Sequence, residues 1–229
     1  MVQSRTYHGL SLDIAKADAG RVCYLLLPDG LRNDCLKWLE SAAAAHDTTL
    51  VSISGIDWND ALTPWSAEGV FKKAKPFGGH ADTFIKDLCE DYFPSIEASL
   101  GFKHVERYLA GVSLSGLFAV WCCFKSRSVS GIASISGSLW YDGFAEWSCN
   151  QTLSRDMGRI YLSLGDREKR SKDKRICEVE NATIRVEQGL KEKGAEVKFI
   201  LEEDTTHFSP VIPRLDAALD WLLQTGENV

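Results

Sequence analysis

The run Gly111-Val112-Ser113-Leu114-Ser115 constrains this chain more than any other stretch. It lies between residues 105–110, which read as a strand, and residues 115–124, an apolar run of helical period. A serine on a sharp strand-to-helix turn is held in a strained backbone conformation that lifts its hydroxyl clear of the sheet. The residues two before and two after it must be small, because their backbones pass very close to each other. Gly111 and Ser115 meet that demand, and Gly116 adds slack. The turn also opens a helix, so the Leu114 amide is expected to point toward the oxygen of a bound carbonyl, with the helix dipole behind it. A Gly-Ser turn that only caps a core helix would look the same in isolation. The flanking strand and helix favour a nucleophile elbow.

The rest of the chain supplies a matching frame. Residues 22–27 read as a strand that ends at Pro28-Asp29-Gly30, residues 31–46 as a helix, and residues 50–53 as a second strand. Residues 81–100 are helical in pattern, and Pro94 is expected to kink or divide them. Residues 132–135, 160–164 and 197–201 complete the strands, with helices around 175–193 and 210–223. Strands alternating with helices predict βαβ units, hence an α/β chain with a mostly parallel sheet covered on both faces. Residues 6–14 alternate and read as an antiparallel edge strand. With 45% hydrophobic residues and no repeat or linker, residues 1–229 read as one domain. Only residues 55–79 break the rhythm, carrying Trp58, Trp65, Phe71 and Phe77 but no periodic run. Such loops are uncommon and often functional, so the segment is either a surface excursion pinned by its own aromatics or a wall of a substrate site.

A serine hydroxyl needs an adjacent base at neutral pH. Of the five histidines only His207 follows Ser113, and folds of this kind place the acid and then the base after the nucleophile. His207 lies beyond the last predicted strand, just before Ser209-Pro210, which reads as a helix cap and first turn. The acid is expected after residues 160–164, where Asp166 and Glu168 are both able to accept the imidazole N–H. A Ser-His dyad with weak acid support is a third arrangement. The second oxyanion donor is expected after residues 22–27, from the amide of Asp29, Gly30 or Leu31, although an ordinary strand-end turn explains the same residues.

With these residues in view, the chain resembles the esterase branch of the α/β-hydrolases that contains esterase D and the enterochelin esterases, above all its short bacterial members. The likeness rests on residues 111–118, on Ser136-Gly137-Ser138-Leu139-Trp140-Tyr141, on residues 162–168 and on His207-Phe208, with support from Leu62-Thr63-Pro64-Trp65. It implies the α/β-hydrolase fold and hydrolysis of carboxylic esters. It implies further that the acid sits three residues after a glycine ending its strand, which is Glu168 here, and that the Ser-Gly-Ser-x-Trp run lines the site. Siderophore specificity is not implied, because the large N-terminal domain of some enterochelin esterases has no counterpart. Only about 23 residues separate 135 from the next strand, so no large cap domain is expected.

These readings predict a serine hydrolase acting on a small-molecule ester, with Trp140, Tyr141, Trp58, Trp65 and Phe71 as candidate pocket walls. An acyltransferase would use the same residues with an alcohol in place of water, and a non-catalytic binding module on the same fold would need none of them. No metal or cofactor is expected, because the chemistry requires neither. A net charge of −6 disfavours nucleic acid or an anionic membrane as partner. The seven cysteines, two adjacent at Cys122-Cys123, lack zinc-site spacing and read as small buried hydrophobes in a reducing compartment. Residues 1–13 contain no apolar signal core, and no stretch approaches the roughly 20 apolar residues of a membrane span. A cytoplasmic location is the resulting expectation.

Overall fold

Residues 22–27 and 50–53 are apolar at nearly every position rather than at alternate ones, the pattern of strands buried on both faces. The computed structural model, which describes residues 1–70 and 74–224, places them so. In chain order the elements are β1 (Val2–Tyr7), β2 (Leu10–Ala15), β3 (Arg21–Leu26), α1 (Arg32–Ala45), β4 (Thr49–Ser54), α2 (Trp58–Ala61), α3 (Ala81–Asp87) and α4 (Phe93–Ser99). There follow β5 (Glu106–Val112), α5 (Leu114–Lys125), β6 (Gly131–Ile135), α6 (Phe144–Cys149), β7 (Arg159–Gly165), α7 (Val179–Glu192), β8 (Glu196–Glu202) and α8 (Ile212–Leu222). One eight-stranded sheet has the order β1-β2-β4-β3-β5-β6-β7-β8. Strands β3 to β8 are parallel, and β2 runs antiparallel to β4.

Each face of the sheet carries an apolar layer. Leu39 of α1 and Leu215 and Leu219 of α8 pack with Leu25, Ala110 and Ile135 on one side. On the other, Ile85, Phe93, Phe118, Phe144 and Val186 from α3 to α7 pack with Tyr24, Leu109 and Ile132. All seven cysteines are free thiols, and Cys23, Cys35, Cys122 and Cys123 are buried. Among the described residues no helix is long and apolar enough to cross a membrane.

One detail differs from the sequence reading. Residues 6–14 are not one strand but span the turn of the β1–β2 hairpin, which Tyr7 and Leu10 close as partners. The two turn residues, His8 at φ 47° and Gly9 at φ 84°, both hold the positive φ that the favoured hairpin turn requires. His-Gly replaces the usual Asn-Gly or Asp-Gly signal and so conceals the turn. Residues 81–100 are divided near Pro94, as expected: α3 passes into a π turn over Leu88–Tyr92, and the chain resumes as α4. Pro94 then falls in a first turn, where its missing N–H is harmless.

Candidate active site

Strand β5 ends at Val112 and α5 begins at Leu114, so Ser113 alone makes the turn, at φ 61° and ψ −120°. Such a conformation costs a non-glycine residue about 1–3 kcal/mol and persists only where neighbours impose it. Here the Ser113 N–H donates to the Ile135 carbonyl at 3.0 Å, and its carbonyl accepts from the amides of Leu117 (3.1 Å) and Ser138 (3.0 Å). A Cβ on Gly111 would lie 2.2 Å from the Ser115 carbonyl oxygen, so the position admits only glycine. The Ser115 hydroxyl accepts the Val112 N–H (2.7 Å) and donates to the Leu26 carbonyl (2.6 Å), tying the end of β3 to the elbow. Sequence reasoning accounts for the size of Ser115 and misses this hydroxyl, because serine satisfies both demands at once. The Leu114 amide is the first of α5 and has no partner within the helix.

His207 lies in the turn between β8 and α8, partly buried, with Nε2 3.2 Å from Ser113 Oγ. Its Nδ1 lies 2.8 Å from Glu168 Oε2. Glu168 is buried in the turn after β7, where its other oxygen accepts the Ser136 hydroxyl (2.5 Å) and the Gly165 amide (2.9 Å). Burial pushes the Glu168 carboxyl up, but hydrogen bonds from His207, Ser136 and Gly165 outweigh it and hold the group below its ordinary range. Asp166 faces elsewhere: it accepts the Thr205 amide at 3.1 Å and braces the chain leading to His207. The Ser209 hydroxyl accepts the Thr206 amide (3.0 Å), so it too supports the His207 turn rather than capping α8, which starts at Ile212. Two residues that sequence reasoning passes over join this group. Ser136 stands in a run quoted only for its likeness, and Arg214, a buried cation on α8, donates to the Ser136 hydroxyl at 2.7 Å.

These side chains open onto a cleft of about 570 Å³ at the carboxyl ends of the parallel strands, where open α/β sheets bind ligands. Residues 55–79 supply one wall through Trp58, Val70 and Phe77, and Trp140, Ile176 and Val179 supply others. Phe208, 93% exposed, stands at the mouth beside the His207 ring. The Arg175 guanidinium lies 5.7 Å from the Trp140 ring centre and donates to the Glu68 and Gly69 carbonyls at 2.9 and 2.8 Å, joining the two walls.

Other expected pocket residues are elsewhere. Tyr141 is buried behind the wall, its hydroxyl donating to the Trp65 carbonyl at 2.5 Å. Trp65 packs edge-on against Trp121 and Trp147 and does not line the cleft. Trp140 and Tyr141 are consecutive, and only the first of them faces the cleft. Phe71 lies outside the described residues. Asp29, Gly30 and Leu31 form a single 3-10 turn that does not line the cleft, and the Leu31 amide already donates to the Pro28 carbonyl at 2.9 Å. Leu31 is thereby removed as an oxyanion donor.

Residues 25–199 match the model of the Esterase family, described as "Putative esterase". The chain belongs to this family. The esterase is 29% identical over 223 residues to the uncharacterized protein YbbA of Bacillus subtilis, covering 92% of this chain and 88% of the relative. Its fold is similar to that of the siderophore hydrolase EstA from Aspergillus nidulans, with a TM-score of 0.71 and 19% identity over 97% of this chain and 93% of that one. An IroE-like serine hydrolase from Shewanella oneidensis superposes with a TM-score of 0.76 and 17% identity, over 95% and 78% of the two chains. The architecture is the α/β-hydrolase fold, and the family makes this protein an ester-hydrolysing enzyme whose substrate is a small-molecule ester.

Proposed function

We propose that this esterase cleaves carboxylic esters by acyl transfer through Ser113, with His207 as the base and Glu168 as the carboxylate that orients it. The observation that carries the reading is the unbroken hydrogen-bonded line from Ser113 Oγ through both nitrogens of His207 to Glu168, opening into an apolar cleft. His207 Nε2 takes the hydroxyl proton as Ser113 Oγ attacks the ester carbonyl. The Leu114 amide, the first of α5, faces the oxyanion. As the C–O bond breaks, the imidazolium returns the proton to the departing alcohol and leaves an acyl-enzyme. Water then attacks the acyl carbon, giving its proton to His207, and the acid departs as Ser113 recovers its hydrogen. Trp58, Trp140 and Phe208 fit an apolar acyl or alcohol group at the mouth of the cleft.

The test is labelling with a fluorophosphonate, followed by intact mass, in the wild type and in Ser113→Ala and His207→Ala. One adduct per wild-type chain and none on either variant is the expected result. Labelling that survives in Ser113→Ala refutes the assignment. The product ratio with added alcohol then distinguishes transfer to water from transfer to an alcohol.

A further inference from the structure

Arg214 is only 5% exposed, a buried cation that the scheme above does not use. Its guanidinium donates to Ser136 Oγ (2.7 Å), Ser163 Oγ (3.1 Å) and the Glu202 carboxylate (2.9 Å). Ser136 holds φ 45°, a left-handed conformation that glycine would adopt without strain, yet the position carries a hydroxyl. That hydroxyl lies 2.5 Å from Glu168 Oε1.

The chemistry of these donors leaves one direction for every proton in the line. A guanidinium has five N–H groups, no acceptor, and does not deprotonate in proteins. The Ser136 oxygen therefore accepts from Arg214 and must point its hydrogen at Glu168. The Gly165 amide, also a donor only, meets the same oxygen of Glu168 at 2.9 Å. With Oε1 receiving two hydrogens, the carboxyl carries no proton there and serves as an acceptor. Its Oε2 then takes the Nδ1–H of His207, leaving the Nε2 lone pair toward Ser113.

We propose that Arg214, acting through Ser136, is a positioning residue that sets the proton direction of the Glu168–His207–Ser113 line and so selects the basic tautomer of His207. The proposal rests on the reading of Ser113, His207 and Glu168 given above. A purely structural Arg214 would pin α8 to β6, β7 and β8 and have no effect on proton positions.

The experiment measures kcat and KM for p-nitrophenyl acetate across pH in the wild type, Ser113→Ala, Ser136→Ala, Arg214→Lys and Arg214→Met. Thermal melting of each variant and the downfield imidazole N–H proton signal accompany the kinetics. Ser136→Ala is expected to lower kcat about tenfold with KM within about twofold, since one charge-assisted hydrogen bond is lost. Arg214→Met is expected to lower kcat further, weaken the Nδ1–H signal and move the acid limb of kcat/KM to higher pH. Glu168, one hydroxyl beyond the guanidinium and bonded to His207, is then left without that cation and holds the imidazolium more strongly. Arg214→Lys, which still offers only donors, is expected to recover most of the loss. An active Ser113→Ala overturns the triad itself. An inert Ser113→Ala beside a Ser136→Ala variant that is folded and unchanged in kcat and N–H signal overturns this inference alone. Ser136→Ala decides the matter should Arg214→Met fail to fold.

Discussion

Replacing Glu168 by glutamine probes the active site most sharply, because it changes one atom and forces a choice. In the wild type Oε1 accepts from Ser136 and Gly165, while Oε2 faces His207 Nδ1. The glutamine has one acceptor and one NH2 group. With its oxygen left toward Ser136 and Gly165, the NH2 group meets Nδ1, and the imidazole must carry its hydrogen on Nε2, where it cannot take the Ser113 proton. Turned the other way, the amide restores the useful tautomer but leaves the Gly165 N–H and the Ser136 hydrogen unpaired. Each unpaired donor costs about 1–3 kcal/mol, so the competent arrangement lies about 2–6 kcal/mol above the other. At 1.36 kcal/mol per tenfold, kcat should fall by between ~30-fold and ~10⁴-fold. The upper end equals the loss typical of a reversed tautomer in serine proteases. Asp166→Asn, which keeps an oxygen for the Thr205 amide, should stay within about threefold of wild type. Steady-state hydrolysis of p-nitrophenyl acetate, with circular dichroism to confirm folding, is the assay. A Glu168→Gln enzyme within tenfold of wild type, or an Asp166→Asn enzyme equally impaired, would refute the reasoning.

Other expectations follow from the same geometry. Gly111→Ala drives a methyl to 2.2 Å from a backbone oxygen, so a stability loss at or beyond the usual 1–3 kcal/mol of overpacking, with loss of activity, should appear in urea titration and turnover. Trp140→Ala should raise KM, because the ring lines the cleft, whereas Tyr141→Phe should lose about 1–3 kcal/mol of stability with KM unchanged, and reversed effects would place the cleft wrongly. Because the folded Glu168 carboxyl lies below its unfolded value of about 4.3, the unfolded chain binds more protons in that interval and stability rises with pH there. The stabilisation is complete above the ordinary glutamate range and fades as pH falls through the depressed value, so urea midpoints of wild type and Glu168→Gln should converge in acid. Burial pushes the Cys35 thiol up to about 11 and Cys123 to about 12, with Cys122 and Cys23 raised as well. A thiol reagent at pH 8 should therefore count no more than the remaining three of seven cysteines before unfolding.

The α/β class, the strand at 22–27 and the elbow spacing around Ser113 were legible because they depend on near neighbours. Buried parallel strands announce themselves as apolar runs, and a strand-to-helix turn this tight demands small residues at fixed offsets. The β1–β2 hairpin was hidden because its His8-Gly9 turn carries a weak local signal, and the π turn before Pro94 depends on packing around a helix rather than on its pattern. Between Asp166 and Glu168 the residues themselves offered no choice: both are carboxylates on one turn. Only the seating of β7 against β6 and β8, which brings Ser136 to one side of Glu168 and His207 to the other, separates them. The same holds for Trp140 and Tyr141, whose opposite directions depend on where Trp65 and Arg175 pack. Arg214 reads in sequence as an unremarkable helix residue, and its role appears only when α8 sets it beneath β6 and β7. Local sequence determined the turn that presents Ser113. The tertiary structure decided its partners, because Glu168 and His207 reach the elbow from separate strand ends, and strand register is a property of the whole sheet.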